Sequence, residues 1–199
     1  MPRVLITAFE PYDRWKLNAS WLALVELTKE LPEQPEITTR LYPVDFSEVK
    51  QRLAKDLADR YDVALHLGQA PGASSVQIEA VGINVAQPAS PDAEARPLVE
   101  DGPMAYRSQL PLAQWAKQLR RGGIPAEVSF HAGTFLCNAA LYLSHHYARE
   151  LACPTRSTFL HLPLAPVQVA EDSRPGPSMP PELSAAAIRL ILGDLIEAV

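Results

Sequence analysis

Three side chains could together carry nucleophilic chemistry: the thiol of Cys137, the imidazole of His161 and the carboxylate of Glu79. Cys137 follows His131-Ala132-Gly133-Thr134-Phe135-Leu136 and opens the apolar run Asn138-Ala139-Ala140-Leu141-Tyr142-Leu143. That order predicts a sulfur at a helix N-terminus, where the helix amides stabilise a thiolate. His161 closes the strand-like run Ser157-Thr158-Phe159-Leu160 and precedes Leu162-Pro163. An imidazole is thereby expected at the carboxyl edge of a sheet, where open α/β proteins place their ligands and where a thiol's base belongs. Glu79 interrupts the apolar segment Val76-Gln77-Ile78-Glu79-Ala80-Val81. A carboxylate there needs a partner if the strand is central, and an imidazole would supply one. Each residue also has an ordinary reading. A free cysteine is commonly a small buried hydrophobe, a strand-end histidine a hydrogen-bonded structural residue, and Glu79 a solvent-facing residue of an edge strand.

The elements that would position these groups alternate along the chain. Residues 3–9 read as a buried strand. Asn18-Ala19-Ser20 precedes a helical pattern over 21–31, with Trp21, Leu24, Val25 and Leu27 on one face. An extended stretch over 37–44, a helix over 46–60, a strand over 61–67 and an extended segment over 76–85 follow. Residues 88–103 lack periodicity and read as an exposed excursion of the kind that forms lids. Helix is expected over 112–121, 137–149 and 181–198, and strand over 126–130 and 157–162. This alternation predicts one α/β domain over 1–199, a three-layer α/β/α sandwich around a twisted, largely parallel but mixed sheet.

Composition excludes several classes. With apolar residues at 47%, charged residues at 21% and a net charge of -5, the chain reads as a water-soluble globule without the basic face that nucleic acid requires. The opening apolar stretch is too short for a signal peptide, and no run approaches the length of a membrane span, so neither export nor membrane insertion is expected. Two cysteines make no disulfide framework and suit a reducing cytoplasm. The histidines lack metal-ligand spacing, since His145 and His146 are adjacent and His66 and His131 lie on separate elements. Gly68-Gln69-Ala70-Pro71-Gly72 lacks the Lys-Ser/Thr of a phosphate-binding loop and reads as substrate-shaping backbone.

Laid end to end, these segments resemble the pyroglutamyl-peptidase I family of cysteine peptidases, also called pyrrolidone-carboxylate peptidases. The family's Glu-Arg-Val-Ala-Ile-Asn is matched by Glu79-Ala80-Val81-Gly82-Ile83-Asn84, its Ala-Gly-x-x-x-Cys-Asn by Ala132-Gly133-Thr134-Phe135-Leu136-Cys137-Asn138, and its His-Val-Pro by His161-Leu162-Pro163. Its opening Gly-Phe-x-Pro-Phe-Gly-Gly…Asn-Pro-Ser is echoed by Ala8-Phe9-Glu10-Pro11-Tyr12-Asp13-Arg14…Asn18-Ala19-Ser20. The resemblance implies an omega-peptidase that hydrolyses the amide after an N-terminal pyroglutamyl residue. Cys137 would be nucleophile, His161 general base and Glu79 its orienting carboxylate. It further implies a ring slot made by Phe9, Tyr12, Phe135 and Leu136 with recognition by Asn18 and the Gln69 region, no metal or organic cofactor, and self-association, often as tetramers. The substrates implied are pyroglutamylated peptides. A weakly active homologue that binds such a ligand, or an amidase for another small cyclic or acyl amide, is the alternative. Departures motivate it: Ala80 and Ala89 stand where the family carries arginines and Asp13-Arg14 where it has a Gly-Gly turn, with Arg14 or Arg96 as candidate spatial substitutes.

Overall fold

The computed structural model describes residues 2–88, 93–170, 172 and 176–197. Its strands are β1 (Arg3–Phe9), β2 (Glu36–Tyr42), β3 (Val63–Gln69), β4 (Val76–Glu79), β5 (Val81–Ile83), β6 (Ala105–Arg107), β7 (Ala126–Ser129) and β8 (Arg156–Leu162). Its helices are α1 (Ala19–Thr28), α2 (Phe46–Leu57), α3 (Leu112–Arg121), α4 (Leu136–Glu150), α5 (Pro166–Ala170) and α6 (Pro181–Glu197). Six strands form one sheet in the order β2-β1-β3-β8-β4-β7. The first four run parallel, and β4 pairs antiparallel with β8 and parallel with β7. The sheet is therefore mixed and mostly parallel, as the alternating pattern predicts.

Strand alternation divides the core into two layers. Val4, Ile6, Val63, Leu65, Leu67, Val76 and Ile78 face α1, α3 and α6. Leu5, Phe9, Ala64 and Phe159 face α2 and α4. The central strand β3 is buried along its whole length, which is why it reads as a continuous apolar run. Among the described residues, no helix is long and apolar enough to cross a membrane.

Several expectations are corrected. The buried face of α1 is Ala19, Ser20, Ala23, Leu24 and Leu27, whereas Trp21 and Val25 remain 36% and 38% exposed. Leu24 and Leu27 are buried as expected, but small residues let the helix approach the sheet, and a pattern weighted toward large side chains turns the face toward Trp21 and Val25. Helix α2 stops at Leu57, short of residue 60, as Arg60 turns to φ 57. The segment over 76–85 is two strands. Glu79 ends β4, and β5 leaves the sheet to pair with β6 and lie on α4. Gly82 permits that approach, since a Cβ there would lie 2.7 Å from the Tyr142 backbone nitrogen. The Asn138 amide fixes the contact: Oδ1 accepts from Ile83 N at 2.8 Å, and Nδ2 donates to the carbonyls of Ile83 and Val85 at 2.9 Å each.

Part of the expected excursion is also ordered. Asn84 Nδ2 donates to Val99 O at 2.7 Å, Ala86 and Arg96 form a β-bridge, and β6 follows. Neither β6 nor α5 is foreseen from periodicity, because three and five residues are too short to show one.

Candidate active site

Strand register brings the polar groups together. Gly68 of β3 and Gln77 of β4 flank His161 of β8, and Glu79 lies opposite Phe159, one diagonal step from His161. A glutamate is long enough to cover that diagonal: Glu79 Oε1 accepts from His161 Nδ1 at 2.8 Å. Because β4 lies between β8 and β7, Glu79 is on an interior strand and is fully buried. Its second oxygen, Oε2, is buried and accepts no hydrogen bond among the described residues. The imidazole is thus the side-chain partner toward which this carboxylate acts.

Cys137 is the second residue of α4. The chain reaches it through Gly133 at φ 77 and Phe135 in extended conformation, and no side chain caps the helix. The amides of its first turn therefore point toward the sulfur's end without an internal acceptor. The sulfur packs over β3 at Gly68, where a Cβ would stand 3.1 Å from Sγ and 2.5 Å from Cζ of Phe159. Glycine at 68 is what leaves room for the thiol beside the sheet. Sequence patterns mark Gly68 as substrate-shaping backbone but do not show that it seats the sulfur.

The electrostatics join the three groups. Burial pulls the His161 imidazole down, but the hydrogen-bonded sulfur of Cys137 and the Glu79 carboxylate outweigh it and raise His161 to about 10. With Nδ1 held by Glu79, Nε2 is the nitrogen left for the sulfur.

A narrow pocket adjoins Cys137, bounded by Phe9, Tyr12, Asn18, Val44, Gly68, Gln69, Phe135 and Leu136. All six residues expected for substrate recognition lie in this wall, and Val44 joins them. The aromatic side is self-supporting: Phe135 contacts Phe46 edge-on at 5.3 Å and Tyr12 at 6.4 Å, and Phe9 meets Phe159 at 6.3 Å. Burial and the nearby Cys137 charge raise the Tyr12 phenol, with the Gln69 amide acting against them. Tyr12 therefore remains a neutral hydroxyl near the thiol.

The two polar wall residues differ. Asn18 is committed to the fold, accepting from Ser20 N at 3.0 Å as the cap of α1 and donating to Glu10 O at 3.0 Å. Gln69 Oε1 accepts from Ala19 N at 3.1 Å and from Gln168 Nε2 at 2.9 Å, whereas its own Nε2 is buried, makes no well-formed hydrogen bond among the described residues and acts on the Tyr12 hydroxyl beside it.

Of the two positions at which the resembled family carries arginine, the described one, Ala80, lies apart from the thiol. Ala80 lines a separate groove with Arg107, Leu110, Val128 and Phe130, so its side chain does not shape the mouth of the Cys137 pocket. Arg14 pairs with Asp172 at 2.9 Å, and Arg96 is exposed beyond its bridge to Ala86. Neither arginine lines the pocket. Ala89 lies outside the described residues. Among those described, no group of three His, Cys, Asp or Glu side chains could hold a metal ion.

A helix-terminal thiol, an imidazole and a buried carboxylate at the rim of an open α/β sheet have the arrangement that cysteine-type hydrolases use. The pyroglutamyl peptidase family model matches residues 2–197. The pyrrolidone-carboxylate peptidase of Pyrococcus furiosus is 34% identical over 98% of this chain and 98% of its own. That of Streptomyces coelicolor is 39% identical over 96% and 91%. The crystal structure of pyrrolidone carboxyl peptidase from Fervidobacterium islandicum superposes with a TM-score of 0.93 at 33% identity, covering 99% of both chains. The chain belongs to the pyroglutamyl peptidase family, a family of cysteine peptidases.

Proposed function

We propose that residues 1–199, as one catalytic domain, hydrolyse the amide bond that follows an N-terminal pyroglutamyl residue, by covalent catalysis at Cys137. The observation that carries this reading is the Glu79–His161 contact at 2.8 Å beside a thiol at the mouth of an aromatic slot. The Cys137 thiolate attacks the pyroglutamyl carbonyl carbon, and the open amides at the start of α4 receive the developing oxyanion. His161 carries the proton on Nε2 and gives it to the leaving amine as the carbon–nitrogen bond breaks. It then takes a proton from the water that attacks the thioester, which returns free enzyme and pyroglutamate. Glu79 holds the ring orientation and balances its charge throughout.

The lactam is small, uncharged and capable of both donating and accepting hydrogen bonds. The faces of Phe9, Phe135 and Leu136 suit its methylenes, and the Gln69 Nε2 donor, with the Tyr12 hydroxyl beside it, suits its carbonyl oxygen. Both cysteines are free, in keeping with a reducing compartment such as the cytoplasm. Self-association belongs to the same reading, supported by Trp21 and Val25, which α1 leaves exposed.

The test is release of 7-amino-4-methylcoumarin from its pyroglutamyl amide under reducing conditions, with Cys137→Ser as control. Turnover that disappears in the control supports the proposal. A wild-type protein that is alkylated at Cys137 yet hydrolyses no pyroglutamyl amide contradicts it.

A further inference from the structure

A second groove adjoins the ring slot, between the loop after β1 and helix α5, lined by Arg14, Trp15, Lys16, Leu17, Val167 and Asp172. Two links tie it to the slot. Gln168, on the groove's wall, donates from Nε2 to both Gln69 Oε1 at 2.9 Å and Leu17 O at 3.0 Å, and Gln69 lines the slot. The turn that presents Tyr12 to the slot also presents Trp15 to the groove, closed by Trp15 N donating to Tyr12 O at 3.1 Å. Asp13 within it holds φ 55, a left-handed conformation that aspartate tolerates better than most residues.

The groove has a definite chemistry. The Arg14 guanidinium lies 4.6 Å from the centre of the Trp15 ring while its Nη2 pairs with Asp172 at 2.9 Å, so arginine and indole form a fixed platform. Leu17 and Val167 add apolar surface that is 36% and 46% exposed. Lys16 is exposed at the rim and forms no ion pair among the described residues, which puts a cation beside the apolar surface.

A pyroglutamyl residue has no chain before it, because its own amine closes the lactam. Once the ring fills the slot, every other part of the substrate lies beyond the scissile amide. We propose that this groove binds the leaving segment of the peptide, taking a bulky apolar or aromatic side chain against Trp15, Leu17 and Val167 and a carboxylate at Lys16. The assignment rests on the pyroglutamyl-peptidase reading above and extends it from the ring to the peptide that follows.

The test compares kcat/KM for pyroglutamyl-alanine amide with that for pyroglutamyl tripeptides carrying phenylalanine at the first or second position after the lactam, each with a free or an amidated C-terminus. In the wild type the better phenylalanine peptide exceeds the alanine amide by about tenfold, the scale of one well-placed apolar contact. Trp15→Ala removes that advantage, and Lys16→Gln removes the part that depends on the free carboxylate. Oligomeric state is followed by light scattering in every variant. The subsite is overturned if the long-to-short ratio is the same in wild type and Trp15→Ala, or if Trp15→Ala changes the assembly and lowers all substrates equally. A wild type that cleaves the alanine amide without favouring phenylalanine removes the subsite alone, whereas one that cleaves none of these peptides removes the proposed function and the subsite with it.

Discussion

His161 and His66 stand on adjacent strands, on the same face of the sheet, with Phe159 in contact with both at 4.7 Å and 6.5 Å. Their electrostatic fates are opposite. His66 is fully buried with the Thr7 hydroxyl at 2.8 Å from Nδ1 and no hydrogen-bond partner for Nε2 among the described residues; burial, reinforced by His145, lowers it to about 3. His161 suffers the same penalty of burial, but the sulfur on one side and the carboxylate on the other raise it to about 10. Burial by itself makes a neutral structural imidazole. The sulfur on one side and a desolvated carboxylate at the second nitrogen are what hold the neighbouring one in its charged form.

The comparison is broken most severely at the active pair. Cys137→Ser and His161→Ala are expected to lower kcat by about 10⁴-fold or more while the circular dichroism spectrum is unchanged, as for members of one catalytic unit. Glu79→Gln leaves the ring in place without its counter-charge. It is expected to reduce kcat/KM by about 10²- to 10⁴-fold. Because Glu79 raises His161, the alkaline limb of the pH–rate profile should also move to lower pH, and a limb that stays in place would show that Glu79 does not tune the base.

Gly68→Ala acts on the space rather than the charge. A Cβ at 2.5 Å from the Phe159 ring and 3.1 Å from Sγ displaces one or both. The expected result is a loss of about 10²-fold in kcat with a destabilisation of about 1–3 kcal/mol, read by stopped assay and urea titration.

On the other side of the comparison, His66→Gln should retain activity and change acid stability. Because His66 is depressed in the fold, the unfolded chain binds the proton first. Its contribution to stability is intact above pH 6.5, the ordinary histidine value, and is lost as pH falls toward about 3. The variant should lose less stability than wild type across that window when urea midpoints are measured against pH. His145, lowered to about 4 by burial, adds a similar slope that remains in the variant. The smallest effect is expected of Cys153→Ser, whose sulfur lies 3.4 Å from Thr155 Oγ1 and away from the pocket. Its kinetics should match wild type within about twofold, since no step of the proposed reaction passes through it.

Much of this site is legible in the sequence because its parts sit at element ends. The helix beginning near Cys137, the strand ending near His161 and the lone carboxylate in an apolar segment are local patterns. Their convergence is not local: the strand order that sets β4 beside β8, and the antiparallel sense that aims Glu79 diagonally at His161, follow from topology. The family resemblance brought the three together before any geometry did. What pattern reading misses is mostly small. Gly68 makes room for the sulfur, Gly82 lets β5 lie on α4, and Ala23 sets the buried face of α1, all by having little or no side chain. Asn18 illustrates the reverse error of emphasis, because its polar atoms serve the cap of α1 although it lines the pocket.

Glu79 and Cys137 together reverse the effect of burial on His161, and histidine-labelled NMR across a pH titration reads this directly. Wild type should show one imidazole that stays protonated well above neutrality toward about pH 10, assigned by its disappearance in His161→Ala, and another that stays neutral down to about pH 3, assigned by its disappearance in His66→Gln. A His161 signal titrating near 6.5 in the wild type, unchanged by Glu79→Gln, would contradict the account.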